Sequence, residues 1–438
     1  MSSEWPKNQL SQIADVFTGF AFKSEKYLPP GLGVRVVRGD NVTERSIRWG
    51  EKEKCWPSVD EELRPYLLQT GDVVIGMDGS KVGKNFAAIL PIDNGTLLAQ
   101  RVARVRAKLG VNQDFVRYLI CNQQFTDYVQ AVHTGTSIPH ISKSQILSFE
   151  VFIPPLQDQN WIASLLKTLD DRITLIRQTN ASLEAISQAL FKSWFVDFDP
   201  VRAKQQGQMP EGIDEATAAL FPDSFEVSEL GTVPKGWKIF TLADAYQLNP
   251  TRKLKKGEFA PYLDMASVST SGHTVSSVIS REFGSGTKFI NGDTLLARIT
   301  PCLENGKTAY VDFLADDQTG WGSTEFVVLR PKLPLPTYHG YLLSRHVAFR
   351  EYAIQSMSGT SGRQRIQNDV LGRFPIAVPC TEIATVFGDI SEGIQKKIAA
   401  NHEQALSLAS LRDALLPRLI SGQLRITEVK DAVEEIAA

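Results

Sequence analysis

Apolar positions along this chain follow two periods, and each period is written twice. Phe149, Val151 and Ile153 alternate with polar neighbours, as do Phe374, Ile376 and Val378. A period of two is the mark of a half-buried strand. Each run stops at a proline, Pro154 and Pro379, where a central strand cannot continue. Beyond each proline the period lengthens. Ile162, Leu165, Leu169, Ile173, Ile176, Leu183, Ile186 and Leu190 follow mostly at spacings of three and four, and adding 225 to most of them gives Phe387, Ile390, Ile394, Ile398, Leu408, Leu411 and Leu415. The pattern predicts two long helices with a coiled-coil-like seam, each about 60 Å long at about 1.5 Å per residue. Asn180 and Asn401 fall near that seam; they either fix its register or are ordinary exposed helical asparagines.

The repetition extends over both halves, which makes it the first signal to interpret. Glu4-Trp5-Pro6 is echoed by Gly236-Trp237-Lys238, and Thr70-Gly71-Asp72-Val73 by Asn291-Gly292-Asp293-Thr294. Both of the latter predict a turn entering a buried strand. Helices are expected near 114–132 and 338–356, where Leu119, Phe125 and Tyr128 match Leu343, Phe349 and Tyr352 at an offset of 224. Gly135-Thr136-Ser137 and Gly359-Thr360-Ser361 follow at that same offset.

The order is globular unit, long helix, globular unit, long helix. The expected fold is therefore α/β, with two repeated mixed domains separated by two long helices. Short connections would make those helices an antiparallel coiled coil with a pseudo-two-fold axis. The expected boundaries are 1–155 for the first domain, 156–198 for the central helix and 199–235 for an acidic linker. A second domain at 236–379, a second helix at 380–425 and a tail at 426–438 complete the chain.

Composition adds exclusions. The chain has 438 residues, 42% hydrophobic and 22% charged, with no apolar run approaching the roughly 20 residues of a membrane span. The N-terminus lacks the layout of a signal peptide. Cys55, Cys121, Cys302 and Cys380 lie far apart, which fits a reducing cytoplasm and neither a disulfide frame nor a zinc site. The net charge of −2 is awkward for a nucleic-acid binder, but the acids are concentrated locally. Between Phe195 and Gly236 eight acidic residues face only Arg202, Lys204 and Lys235, so the remainder is slightly basic.

Two similar heads at fixed separation suit the two-fold symmetry of duplex DNA, and divergent heads would read an asymmetric, two-part sequence. A scaffold whose heads bind proteins has the same layout. Three stretches separate these readings. Ala189-Leu190-Phe191-Lys192-Ser193-Trp194-Phe195-Val196-Asp197-Phe198-Asp199-Pro200 closes the first long helix, and Leu220-Phe221-Pro222-Asp223-Ser224-Phe225 follows it. Leu415-Leu416-Pro417-Arg418-Leu419-Ile420-Ser421-Gly422 ends the second. The chain resembles the specificity subunit of Type I restriction-modification enzymes in these segments, and in layout throughout.

That resemblance implies a non-catalytic subunit with two target-recognition domains, each reading one half of a bipartite site in double-stranded DNA. The helices would serve as spacer and as docking surface for two methyltransferase subunits, with motor-nuclease subunits joining in the full complex. S-adenosylmethionine, ATP and magnesium would belong to those partners. Phe191, Trp194, Phe195 and Phe198 fit a partner-docking patch, or else close a local core against the linker.

Independent chemistry finds no support. Gly306-Lys307-Thr308 resembles the end of a phosphate loop, but Pro301 stands where its first glycine is required. No dinucleotide-binding or amino-methyltransferase motif is present, and the six histidines are scattered, so no metal site is expected. The specificity half of a self-contained methylating or cutting enzyme would need such motifs.

Base and phosphate contacts call for Arg, Lys, Asn, Gln and hydroxyl groups on outer loops. In the first half these are Lys81, Lys84, Ser137, His140 and Lys143. In the second they are Arg298, Lys307, Ser361, Arg363, Gln364 and Arg365. Alternatively the Gly-Thr-Ser turn is shared framework, and specificity lies in the variable stretches 34–60 and 250–290.

Overall fold

The two Gly-Asp turns each feed the middle of a sheet. In the computed structural model, which describes residues 5–135, 138–228, 231–360 and 362–426, Asp72 precedes the strand Val73–Gly76 and Asp293 precedes Thr294–Ala297. Both strands are wholly buried, as their apolar sequences require. The chain divides into two units, Met1–Ile173 with Ser407–Ala438, and Thr174–Leu406.

In the first unit a four-stranded antiparallel sheet has the order Ala14–Thr18, Val102–Ala107, Val73–Gly76, Phe86–Ala88. A second sheet pairs Val34–Val37 parallel with Leu97–Leu98 and antiparallel with Cys55–Trp56. The second unit repeats this plan. Its first sheet runs Tyr246–Leu248, Phe326–Pro331, Thr294–Ala297, Thr308–Tyr310. Its second sheet pairs Phe259–Leu263 parallel with Gly320–Gly322 and antiparallel with Ile279–Glu282. The helix expected near 114–132 is two helices, Gln113–Ile120 and Gln123–Val132. Asn122 causes the break. Its side-chain oxygen accepts from Phe125 N–H at 3.0 Å while its amide donates to the Tyr118 carbonyl at 2.7 Å, capping both ends at once. The counterpart breaks at His346, into His339–Arg345 and Val347–Gln355.

The long helices are Leu156–Phe195 and Thr381–Ile420. In the first unit Ile162 and Leu166 share a core with Leu416, Leu419 and Ile420. The Asp170 carboxylate accepts from Arg412 at 2.7 Å and Tyr118 at 2.8 Å. In the second unit Trp194 meets Phe387, while Asn180 accepts from the Asn401 side chain at 2.8 Å and donates to the Ile398 carbonyl at 3.1 Å. Contacts that advance along one helix retreat along the other, so these segments run antiparallel. The two asparagines satisfy each other there, which favours the register role.

Three expectations are corrected. Phe191, Trp194, Phe195 and Phe198 form no exposed docking patch; they are buried in the second unit's core among Trp237, Phe387 and His339. Four aromatic rings in one stretch bury more area against a core than on a surface. The acidic segment after them is not a bare connector. It forms helices Asp199–Gln205 and Glu215–Leu220 and a hairpin, and Val201 and Phe221 enter the same core. The seam also departs from the apolar pattern: Ile186 and Leu411 are exposed. Glu184 is buried instead, because it faces polar groups, and Ser187 is buried on the same side with no hydrogen-bond partner for its hydroxyl among the described residues.

Those groups surround His273. Its imidazole is fully buried, hydrogen-bonded to Asp312 at 3.2 Å, 3.6 Å from Glu184 and 3.1 Å from the Tyr338 hydroxyl. Tyr341 donates to Glu184, and the Gln395 amide donates to Asp312 at 2.6 Å. Burial opposes a proton on His273, but bonds to Asp312 and Glu184 outweigh it and push its pKa up to about 9. His339 is the opposite case. Buried among phenylalanines with only the Tyr246 hydroxyl as partner, it is pushed down to about 3 by burial.

The two shifts bracket the stability of the second unit. His273 is raised, so its contribution is full below the unfolded value of about 6.5 and is lost as pH rises through about 9. His339 is depressed, so its contribution is present above about 6.5 and is lost as pH falls toward about 3. Denaturant titrations of the full chain should show maximal stability of this unit near pH 6–7. His273→Phe should selectively flatten the alkaline limb; an unchanged alkaline limb would refute the charged assignment.

Candidate nucleic-acid interface

Strand ends set the candidate site. In the first unit the strand Val73–Gly76 runs out into a turn at 77–85, beside Gln100 and Arg101 at the start of Val102–Ala107. A returning loop is clipped to this edge. Thr134 and His140 exchange backbone hydrogen bonds of 2.9 and 2.8 Å, Ile141 N–H donates to the Met77 carbonyl at 2.9 Å, and Gly79 N–H to Pro139 at 3.0 Å. Gly135 makes the loop possible. Its φ is +91°, and a Cβ there would lie 2.3 Å from the Ile138 carbonyl oxygen.

The second unit builds the same clip. Ser358 and Arg365 exchange bonds of 3.0 and 2.9 Å, Ile366 N–H donates to Arg298 at 3.0 Å, and Thr300 N–H to Gln364 at 3.0 Å. The side chains that lock the clip differ. In the first unit Asp78 on the turn binds His140 on the loop, and Arg101 at 3.3 Å. In the second the acid is Glu325, 224 positions after Arg101, and it takes both sides of the Arg365 guanidinium at 2.6–3.0 Å. Hydrogen bonds from Arg365 hold the Glu325 carboxyl below its ordinary range. The base stays on the loop in both units, while the acid that holds it moves from the turn to the start of the neighbouring strand.

The predicted contact residues therefore fall into two groups. His140 and Arg365 are locked as described. Arg298 donates to the Ile366 carbonyl at 2.8 Å, and the Lys307 ammonium to Met265. Lys81, Lys84, Lys143 and Arg363 are exposed and have no side-chain hydrogen bond or ion pair among the described residues. Gln364 is half-buried beside Arg363. Ser137 and Ser361 lie outside the described residues.

Two clefts open on these edges. That of the first unit, about 600 Å³, is lined in part by Arg38, Ser80, Lys81, Asn85, Gln100 and Arg101. That of the second, about 290 Å³, includes Asn249, Arg252, Lys288, Arg298 and Thr324. Cations suited to phosphate thus sit beside amides and hydroxyls suited to base edges. Arg38 lies within the stretch 34–60 named as the alternative, whereas Gln100 and Arg101 escaped the sequence reading because nothing local marks them. Arg101 takes a left-handed φ of 66°, which only the structure reveals. Gln100 and Thr324 occupy matching positions, so the repeat offset was the one available signal. Among the described residues no group of three or more His, Cys, Asp or Glu could hold a metal, and no helix is long and apolar enough to cross a membrane.

Known proteins agree with this layout. The family model described as the Type I restriction modification DNA specificity domain matches residues 2–185 and again 234–406. The chain is 27% identical to the Type I restriction enzyme HindI specificity subunit of Haemophilus influenzae, covering 90% of this chain and 89% of that one. It is 25% identical to the MjaIX specificity subunit of Methanocaldococcus jannaschii, covering 90% and 84%. A crystal structure of the Type I restriction-modification system S subunit from M. genitalium shares the fold, with a TM-score of 0.54 at 16% identity over 95% of this chain and 96% of that one.

If the ion pairs lock the clips, removing their acids should loosen the loops without unfolding the units. Hydrogen exchange of 134–141 should accelerate in Asp78→Asn, and that of 358–366 in Glu325→Gln, each in its own unit only. Unchanged exchange in both variants would show the backbone bonds suffice.

Proposed function

The chain belongs to the Type I restriction-modification DNA specificity family, and from that premise we propose that it selects an asymmetric two-part sequence in double-stranded DNA, one part at each unit, and brings methyltransferase subunits to it. The observation that carries this reading is one frame with two different edges. Sheet order, parallel pair and loop clip recur, while the clip side chains and the cleft linings do not. A frame repeated for one identical ligand would have no reason to carry different side chains at its rim. Two half-sites of unlike sequence account for both facts.

In this reading Lys81, Lys84, Lys143 and Arg363 neutralise phosphates, and Gln100, Asn85, Gln364 and Thr324 face base edges. The locked residues His140, Arg298, Lys307 and Arg365 hold the loops in place. No reaction is assigned to the chain itself. S-adenosylmethionine, ATP and magnesium serve the methyltransferase and motor-nuclease subunits of the assembled enzyme.

Mapping adenine methylation in cells that hold the cognate methyltransferase subunit, with and without this chain, tests the assignment. A two-part asymmetric motif should appear only when the chain is present; the same methylation in its absence would defeat the reading. Binding in vitro should weaken with salt, and each alanine replacement of Lys81, Lys84, Lys143 or Arg363 should lower the slope of log K against log salt by about one.

A further inference from the structure

Two turns far from the clefts retain a side chain that serves nothing inside the chain. Arg106-Ala107-Lys108-Leu109-Gly110 ends the strand Val102–Ala107, and Arg330-Pro331-Lys332-Leu333-Pro334 ends Phe326–Pro331, 224 positions later. The arginines bind the buried Asp72 at 2.6 Å and Asp293 at 2.8 Å. The lysines donate to backbone carbonyls, Lys108 to Ser11 at 2.7 Å and Lys332 to Asp244 at 2.8 Å. The leucines stand out from these braced turns, with relative exposures of 105% for Leu109 and 94% for Leu333. A single exposed leucine needs no explanation, but the same one kept in two heads whose reading loops have diverged does.

We propose that Leu109 and Leu333 are matching contact points for two copies of one protein partner, the methyltransferase subunit, one copy on each unit. This rests on the function proposed above. DNA is a poor fit for them. Each leucine follows a six-residue strand whose opposite end carries Arg101 or Glu325 and the cleft, about 20 Å away at about 3.4 Å per residue. An apolar knob also offers nothing to a phosphate.

The surroundings favour a partner that also touches the long helices. Just past Leu109, Asn112 N–H donates to Gln159 at 3.0 Å and its side chain to Asn160 at 2.8 Å, both at the start of the central helix. Just past Leu333, Pro336 packs on Gly388 near the start of the second long helix, 3.1 Å from where a Cβ would stand. Those helices carry a second matched pair of exposed apolar residues, Ile186 and Leu411, 225 positions apart. A surface that meets changing DNA drifts between copies, whereas one that meets the same protein twice is held constant.

The test measures uptake of the cognate methyltransferase subunit by the full chain, by native mass spectrometry and titration, for wild type, Leu109→Ser, Leu333→Ser and the double variant. Wild type should take up two copies. Each single variant should bind one copy about tenfold more weakly, and the double variant both, as for loss of an apolar anchor. DNA binding by the chain alone should be unchanged in every variant, which confirms folding. Uptake of two copies by the double variant at wild-type affinity overturns the inference and leaves the proposed function standing. No uptake by wild type overturns both. Should the serines abolish self-association of the chain while methyltransferase uptake persists, the leucines belong to a self-interface and the inference is wrong.

Discussion

Asp72 and Asp293 each place a carboxylate, at most 2% exposed, against an arginine on the neighbouring strand. Asp72 also accepts from Gln69 N–H at 2.7 Å, and Asp293 from Ile290 N–H at 2.9 Å and Arg252 at 3.0 Å. A charge so enclosed is tolerable only with its partners, and losing one costs about 3–5 kcal/mol. The turn and the two inner strands are therefore fixed together at one end of each sheet. The opposite end is released from that duty. Its loops can change residues without endangering the sheet, which is what a recognition surface requires.

The internal repeat made most of the frame legible. Strands bounded by Pro154 and Pro379, the two Gly-Asp turns and both long helices stand where periodicity put them. What escaped was set by tertiary surroundings. The stretch Phe191–Phe198 looks equally apolar whether it caps a core or faces a partner; only Trp237 and Phe387, distant in sequence, decide for the core. Ile186 fits the seam by spacing, yet Glu184 turns inward because His273 and Tyr341 present polar atoms to it. Among the candidate contacts, residue type and loop position were readable but commitment was not. Arg365 and Arg363 look alike in sequence, and Glu325, forty residues away, separates them.

The same mechanical task is also solved twice with different chemistry. In the first unit Asp170 on the central helix joins Tyr118, Arg117 and Arg412. In the second, Glu184 and Gln395 on the two long helices reach Asp312 and His273, the latter within the stretch 250–290. Helix packing and that stretch share one hydrogen-bonded network, so a change of sequence in the stretch is constrained by the helices behind it.

The first unit is assembled from two pieces of chain, residues up to 173 and residues from 407 onward, whereas the second is a single run ending at 406. Synthesis proceeds from the N-terminus, and domains generally fold as they emerge. Leu416, Leu419 and Ile420 reach the ribosome exit after every residue of the second unit, yet the first core needs them. The half translated first is thus the half completed last, and until then it waits with an open apolar face. The nascent chain must protect that face, or have it protected, for more than half of its own synthesis.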